Sequence, residues 1–373
     1  TEVNLSYIYT FLASFIIALV FCPLVIKFAK AKKILKYPRR NRDVHTEPVP
    51  LLGGIAIIIS FGLSVFGNYL FNPNFIVTNE VIGLAVGIVI ISVMGILDDI
   101  YDLKPVIKVV FQVTAAVATV AISGSKIAYF TNLGANNNLV HLPDIISFIA
   151  TVAWIFMLTN AFNIIDGLDG LTAGTTVICS LTLFFVTFVR PDAGLVGEYI
   201  PILLIALSGA AAGFLPFNFN PAKLYLGETG AAFTGFCIAV LSVQGTMKAH
   251  AAIAVFIPLV AMGLPVLDIS LAYFRRIIMK KPIAEGDRDH IHHRLMKMGL
   301  SQRKTVLILY LIDIVFGITA FLLSGQQYSR FWLYFAIIII LMGLSVFFLY
   351  KPLLRQAAKN GNTEVMEEEQ SDD

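Results

Sequence analysis

Charge is scarce in this chain. Asp, Glu, Lys and Arg make up 14% of its 373 residues, well below the roughly 25% of an ordinary soluble domain. That shortage, with 57% apolar residues and a mean hydropathy of +0.81, excludes a water-soluble globular protein and requires a bilayer as solvent. Cysteine is rare too. Cys22, Cys179 and Cys237 lie in apolar stretches without ligand-like spacing, which leaves buried, inert thiols rather than disulfides or a thiolate metal centre. No internal repeat is evident, so the symmetric halves common in secondary transporters are missing. The net charge of +3 is modest, and the basic residues flank apolar runs, where they set topology and meet anionic lipid rather than nucleic acid.

What the chain does have is a series of long apolar runs, at about 5–28, 51–70, 81–97, 106–123, 145–164, 170–190, 199–217, 231–245, 250–273, 305–323 and 331–350. A span needs about 20 mostly apolar residues, fewer where the bilayer thins. The predicted fold is therefore an all-α polytopic membrane protein of about eleven transmembrane helices. The first run is too long for the core of a signal peptide and its basic flank follows it, so a span is expected rather than a cleavable leader. Because Thr1 stands where Met would, a few residues are expected to precede it.

The basic residues alternate. Of the 27 Lys and Arg, all but Lys126, Arg190, Lys248 and Arg330 fall in odd-numbered connections or the carboxyl tail. The positive-inside rule then puts the amino terminus outside and the carboxyl terminus in the cytoplasm, as an odd number of spans requires. Residues 1–355 read as one integral-membrane domain, and 356–373 as an acidic, solvated cytoplasmic tail. The first basic loop is expected to begin as an interfacial helix before Pro38, Pro48 and Pro50 break it.

The same cytoplasmic loops hold the chemistry. MGILDDIYDLKP places Asp98, Asp99 and Asp102 where the third span emerges. On a continuing helix Asp98 and Asp102 share one face, and carboxylates at a helix C-terminus oppose the macrodipole, so a compensating cation is expected. LTNAFNIIDGLDGLTAG sets Asn160, Asn163, Asp166 and Asp169 within ten residues at another membrane edge, where polar groups are costly without partners. FNFNPAKLYLGETGA adds Asn218, Asn220, Lys223, Tyr225 and Glu228. Carboxylates and amides converging from three loops suit a hard divalent cation, magnesium first and manganese second, shared with phosphate oxygens. The ninth loop is of opposite sign: GDRDHIHHRLMKMG crowds His290, His292, His293 and Arg294 together beside Arg288. Without an accompanying Cys these favour donors to sugar and phosphate oxygens over a zinc site. Inside the spans, Asp313 has no nameable partner, and Asp268 is expected to pair with a nearby Arg or to sit on the site rim.

LLGG at 51–54, DDIYD at 98–102, NAFNIIDGLDGL at 160–171, LGETG at 226–230 and HIHHRL at 290–295 together resemble the polyprenyl-phosphate N-acetylhexosamine-1-phosphate transferase family. The run NAFNIIDGLDGL followed by HIHHRL is the specific part. HIHHRL resembles the branch using UDP-N-acetylglucosamine, as in wall teichoic acid or O-antigen initiation, more than the phospho-N-acetylmuramoyl-pentapeptide branch. The resemblance implies that Asp98 and Asp99 act on the lipid phosphate or position the metal site, and that Lys108 meets the diphosphate. It implies Asn163 and Glu228 as magnesium ligands, Asp169 on the uracil edge, Tyr225 stacked on that ring, and His290, His292, His293 and Arg294 reading sugar and phosphate. Asn160 and Asp166 join the substrate-binding set. One departure stands out: the family carries Asp where this chain has Glu228, which pushes the carboxylate out by one methylene.

The implied reaction transfers N-acetylglucosamine 1-phosphate from UDP-N-acetylglucosamine to undecaprenyl phosphate at a bacterial cytoplasmic membrane, releasing UMP. Positioning and charge neutralisation carry such a transfer, and a phosphate acceptor is already largely ionised at pH 7, so Asp98 or Asp99 is read as an orienting group or weak base. The alternatives are the muramoyl-pentapeptide reaction, an ion-coupled transporter and a membrane scaffold. Whether the chain acts as a homodimer is left open.

Overall fold

The computed structural model describes residues 5–37, 48–73, 75–131, 139–189, 199–246, 256–278 and 290–324. The apolar run at 331–350, the acidic tail and Arg288 lie outside them. Each of the first ten apolar runs coincides with helix: α1 Leu5–Ala31, α2 Gly53–Phe71, α3 Asn79–Tyr101, α4 Pro105–Ser123, α5 Asp144–Ile165, α6 Leu171–Val189, α7 Tyr199–Asn218, α8 Gly227–Thr246, the pair α9 Phe256–Ala261 and α10 Gly263–Ile278, and α12 Gln302–Ser324. A short helix, α11 Ile291–Lys297, carries the histidine motif. Among the described residues, α1, α2, α3, α4, α5, α7 and α12 are each long and apolar enough to cross a membrane. The chain is an all-α polytopic membrane protein.

α8 lies at the centre, packed against α2, α3, α5, α6 and α7, and its residues from Thr229 to Val243 are buried. The outer helices turn apolar side chains outward: Ile16 and Val20 on α1, Val89 on α3, Ile149 on α5 and Leu311 on α12 are all exposed. Only hydrocarbon tolerates such a surface. In that solvent burial of apolar area drives little, and close packing with satisfied backbone groups holds the helices together.

Two antiparallel pairs complete the fold. β1 Leu35–Lys36 pairs with β2 Val49–Pro50 in the register Leu35 to Pro50, and β3 Tyr129–Thr131 pairs with β4 Leu139–His141. The first pair continues into the site. Pro50 O accepts from Tyr225 N at 2.9 Å, and Gly53 and Gly54 donate to Tyr225 O and Leu226 O, each at 2.9 Å, so LLGG lies along the strand-like approach to α8.

The first basic loop does begin as helix: α1 runs on through Lys27 and Lys30 to Ala31, and Lys33 turns the chain at φ 57, ahead of Pro38. Two sequence expectations need correction. The run at 250–273 is not one helix, since a turn at Met262 separates α9 from α10. Asp102 does not continue the helix of Asp98. α3 ends at Tyr101, and Asp102 takes a left-handed φ of 53.

Candidate active site

The acids at the end of α3 find their compensation in two different places. Asp98 is buried, and its Oδ2 lies 2.7 Å from Lys108 Nζ. Pro105 starts α4 after a three-residue turn, which lays Lys108 back over the end of α3, and Asp98 Oδ1 accepts from Leu103 N at 2.8 Å to hold that turn. Asp99 reaches across to α8. Its carboxylate accepts from Glu228 N at 2.8 Å, Thr229 N at 3.2 Å and Thr229 Oγ1 at 2.6 Å. A carboxylate that opposes the dipole of its own helix thus sits on the favourable end of another, and accepts from first-turn amides that α8 cannot satisfy itself. Gly227 makes the approach feasible: its φ is +74, and a Cβ there would lie 2.5 Å from Asp99 Oδ2.

Asp99 therefore fixes where Glu228 stands. The Glu228 carboxylate accepts from Asn163 Nδ2 at 2.6 Å and lies 3.6 Å from Lys108 Nζ. Asp98, Asp99, Lys108, Asn163 and Glu228 come together as one linked cluster from α3, α4, α5 and α8. Next to it Asp166 follows the end of α5, its carboxyl pushed up to about 7 by desolvation and, less strongly, by the charges of Glu228 and Asp99, against which Lys36 acts.

Asn160 looks a different way. Its amide donates to Gln112 Oε1 on α4 and to Phe156 O, both at 2.8 Å. Sequence reasoning passed over Gln112, although a polar residue four positions after Lys108 in an apolar helix is the signal that could have found it. Asp169 braces the loops: its Oδ2 accepts from Asn220 Nδ2 at 3.0 Å and Ala222 N at 3.1 Å. Asn220 donates as well to Gln302 Oε1 at 2.8 Å, and Arg303 Nε donates to Asn220 O at 2.8 Å. Asn218 ties Gly170 N to Leu224 O, at 3.0 Å each. The Tyr225 ring has Lys36 Nζ over it, 5.6 Å from the centroid.

The histidine motif approaches by way of Gly167. A Cβ on Gly167 would lie 2.4 Å from His292 Nε2, so the absence of a side chain lets the imidazole close on the loop that carries Asp166. His292 is 2% exposed. Desolvation, helped by the neighbouring His293, lowers its pKa to about 3, which keeps it neutral. His290 and His292 stack with centroids 5.8 Å apart, His293 is exposed at 4.2 Å from His292, and Arg294 is buried. Among the described residues the Asp268 carboxylate meets His290 and the backbone of Ile291 rather than an Arg, which sets it beside the histidine motif, the other position expected for it.

Among the described residues no group of three or more His, Cys, Asp or Glu is poised as a complete metal cage. Magnesium does not need one, since it keeps several waters and takes one or two carboxylates plus substrate phosphates. Glu228, with one oxygen held by Asn163, fits that demand as a partial site whose present cationic neighbour is Lys108.

Residues 81–246 match the model of glycosyl transferase family 4. The chain is 36% identical over 343 residues to the probable undecaprenyl-phosphate N-acetylglucosaminyl 1-phosphate transferase of Bacillus subtilis (strain 168), covering 91% of this chain and 90% of that protein. It is 33% identical over 300 residues to the decaprenyl-phosphate N-acetylglucosaminephosphotransferase of Mycobacterium leprae (strain TN), covering 76% and 75%. It is 28% identical over 315 residues to the undecaprenyl-phosphate alpha-N-acetylglucosaminyl 1-phosphate transferase of Thermotoga maritima, covering 84% and 89%.

Proposed function

We propose a reaction from one premise: the chain belongs to glycosyl transferase family 4, the polyprenyl-phosphate N-acetylhexosamine-1-phosphate transferases, and is a membrane-embedded phosphotransferase. The protein transfers N-acetylglucosamine 1-phosphate from UDP-N-acetylglucosamine to undecaprenyl phosphate. An oxygen of the lipid phosphate attacks the β-phosphorus, the bond from that phosphorus to the bridging oxygen of UMP breaks, and UMP leaves. The observation that carries this reading is the Lys108 ammonium held between Asp98 and Glu228, with Asn163 on Glu228. A diphosphate needs fixed positive charge and fixed donors, and phosphoryl transfer asks little else of a protein.

Asn163 and Glu228 would hold magnesium, which supplies charge neutralisation on phosphate oxygens. Lys108 offsets the remaining charge. Asp98 and Asp99 act as orienting groups: Asp98 aims Lys108, and Asp99 anchors the first turn of α8 and so places Glu228. Neither carboxylate is free to serve as a strong base, and the ionised acceptor requires none. Asp166, Tyr225 and Asp169 border the nucleotide, and His290, His293 and Arg294 face sugar and phosphate oxygens. The active side is cytoplasmic, following the basic loops of an eleven-span, amino-terminus-outside topology in the bacterial cytoplasmic membrane, and the product enters envelope polysaccharide synthesis.

Purified protein incubated with UDP-N-acetylglucosamine, undecaprenyl phosphate and magnesium should release UMP and form a lipid-linked sugar diphosphate. No UMP from any UDP-amino-sugar overturns the reading. Turnover with the muramoyl-pentapeptide donor alone moves the chain to that branch. A phosphorylated Asp98 trapped without lipid acceptor replaces single displacement by a covalent route.

A further inference from the structure

Asp268 is a buried acid that no step above uses. It lies on α10, 2% exposed, in a segment otherwise apolar around it. Taking an ionised carboxylate out of water is expensive unless it is paired and hydrogen-bonded. Its Oδ1 accepts from Ile291 N at 2.8 Å, and its Oδ2 lies 3.0 Å from His290 Nδ1. The first contact is an aligned hydrogen bond. The second is a close approach of Nδ1 to Oδ2 that does not have hydrogen-bond geometry. Both target residues sit at the start of α11, across the 279–289 segment from α10.

α10 itself is held in place. It packs on α5, the helix that ends in Asn160 and Asn163, and on α12. A position fixed on α10 is thus fixed relative to the carboxylate cluster. From His290 the coupling runs on through the parallel ring of His292 to Gly167, one residue from Asp166. Among the described residues Asp268 is the contact that ties His290 to another helix, and its acceptance from Ile291 N sets the direction in which α11 leaves.

We propose that Asp268 is a positioning residue for the transfer reaction: it clamps the first residues of α11 so that the histidine motif closes on the Gly167 loop beside the carboxylates. This rests on the function proposed above. Asp268 does not touch substrate, and it acts through His290 and Ile291. With Nδ1 of His290 turned to Asp268, the other ring nitrogen is the one left for a substrate oxygen. The expected consequence is a loss in kcat that exceeds any loss in folding, because a misplacement near 1 Å is enough to cost about a hundredfold.

The test uses the full chain in detergent or nanodiscs. Asp268→Ala should lower kcat/KM for UMP release at least tenfold. Asp268→Asn keeps an acceptor for Ile291 N and should recover most of that loss. In a cycle with His290→Ala, the double variant should be no slower than the slower single one, since both act on one element. Histidine 15N spectra of labelled protein give a readout that needs no turnover: Asp268→Asn should move the His290 and His292 signals and leave that of His141, on the separate β3–β4 pair, in place. Wild-type rates in both Asp268 variants, additive losses in the cycle, or unmoved His290 signals overturn the proposal. If the wild type releases no UMP while the His290 and His292 signals still move, the clamp stands and the assigned reaction falls.

Discussion

Lys108→Met is the most informative single change, because one ammonium faces two carboxylates. Its Nζ is 2.7 Å from Asp98 and 3.6 Å from Glu228, with side chains 21%, 3% and 33% exposed respectively. Breaking a fully buried pair by removing one partner costs about 3–5 kcal/mol. Part of the Lys108 side chain is open to water, so roughly 2 kcal/mol is the expected loss of stability once solvent screening is allowed for. The effect on rate is larger. Removing one preorganised charge or donor from a transferring phosphoryl group typically costs about 10²–10³ in kcat. The two effects separate in Lys108→Met combined with Asp98→Asn, which removes the stranded charge as well. Chemical denaturation or thermal melting in detergent should recover at least half of the lost stability in that double variant. UMP release should stay at the level of Lys108→Met. Full stability in the single variant, or a kcat within threefold of wild type, would refute the picture of a lysine held between the two acids.

Three further outcomes follow from the same geometry. Gly227→Ala forces a side chain into a left-handed backbone and against Asp99, so it should cost about 1–2 kcal/mol in melting experiments and displace Glu228, with at least a tenfold drop in turnover. Chelation should stop UMP release and added magnesium restore it, while Asn163→Ala should raise the magnesium needed for half-maximal rate; full activity in excess chelator removes the metal from the mechanism. His292 has a folded pKa of about 3 against 6.5 unfolded, so the unfolded chain binds more protons between those values. Its contribution to stability is full above pH 6.5 and declines as pH falls, at a slope approaching 1.4 kcal/mol per unit. His292→Asn should flatten the fall in melting temperature between pH 6.5 and 5, and an unchanged slope would contradict the buried, neutral assignment.

Much of the fold was legible because lipid imposes a crude rule. A span must be long, apolar and helical, and each of the first ten runs read that way holds helix among its described residues, the ninth as the pair α9 and α10. The break at Met262 had a signal that a count of apolar residues passes over: Gly263 weakens the helix there, and Pro265 has no N–H to donate to Ala261 O. The site was legible as a set of loops rather than as an arrangement. Asp98 and Asp99 are adjacent and read alike, yet one pairs with a lysine and the other caps a helix 129 residues away. Asp169 stood out as a polar residue in a glycine-rich run, but its hold on Asn220 and Ala222 leaves no local trace.

The sequence by itself determined the solvent, the helical class and the residues capable of phosphate and metal chemistry, because hydropathy and side-chain type are properties of each residue and its near neighbours. The tertiary structure alone decided which acid meets Lys108, which one fixes Glu228, and that Asp268 reaches the histidine motif. Those pairings depend on how α3, α4, α8 and α10 cross, and helix crossings are set by packing between surfaces far apart in the chain.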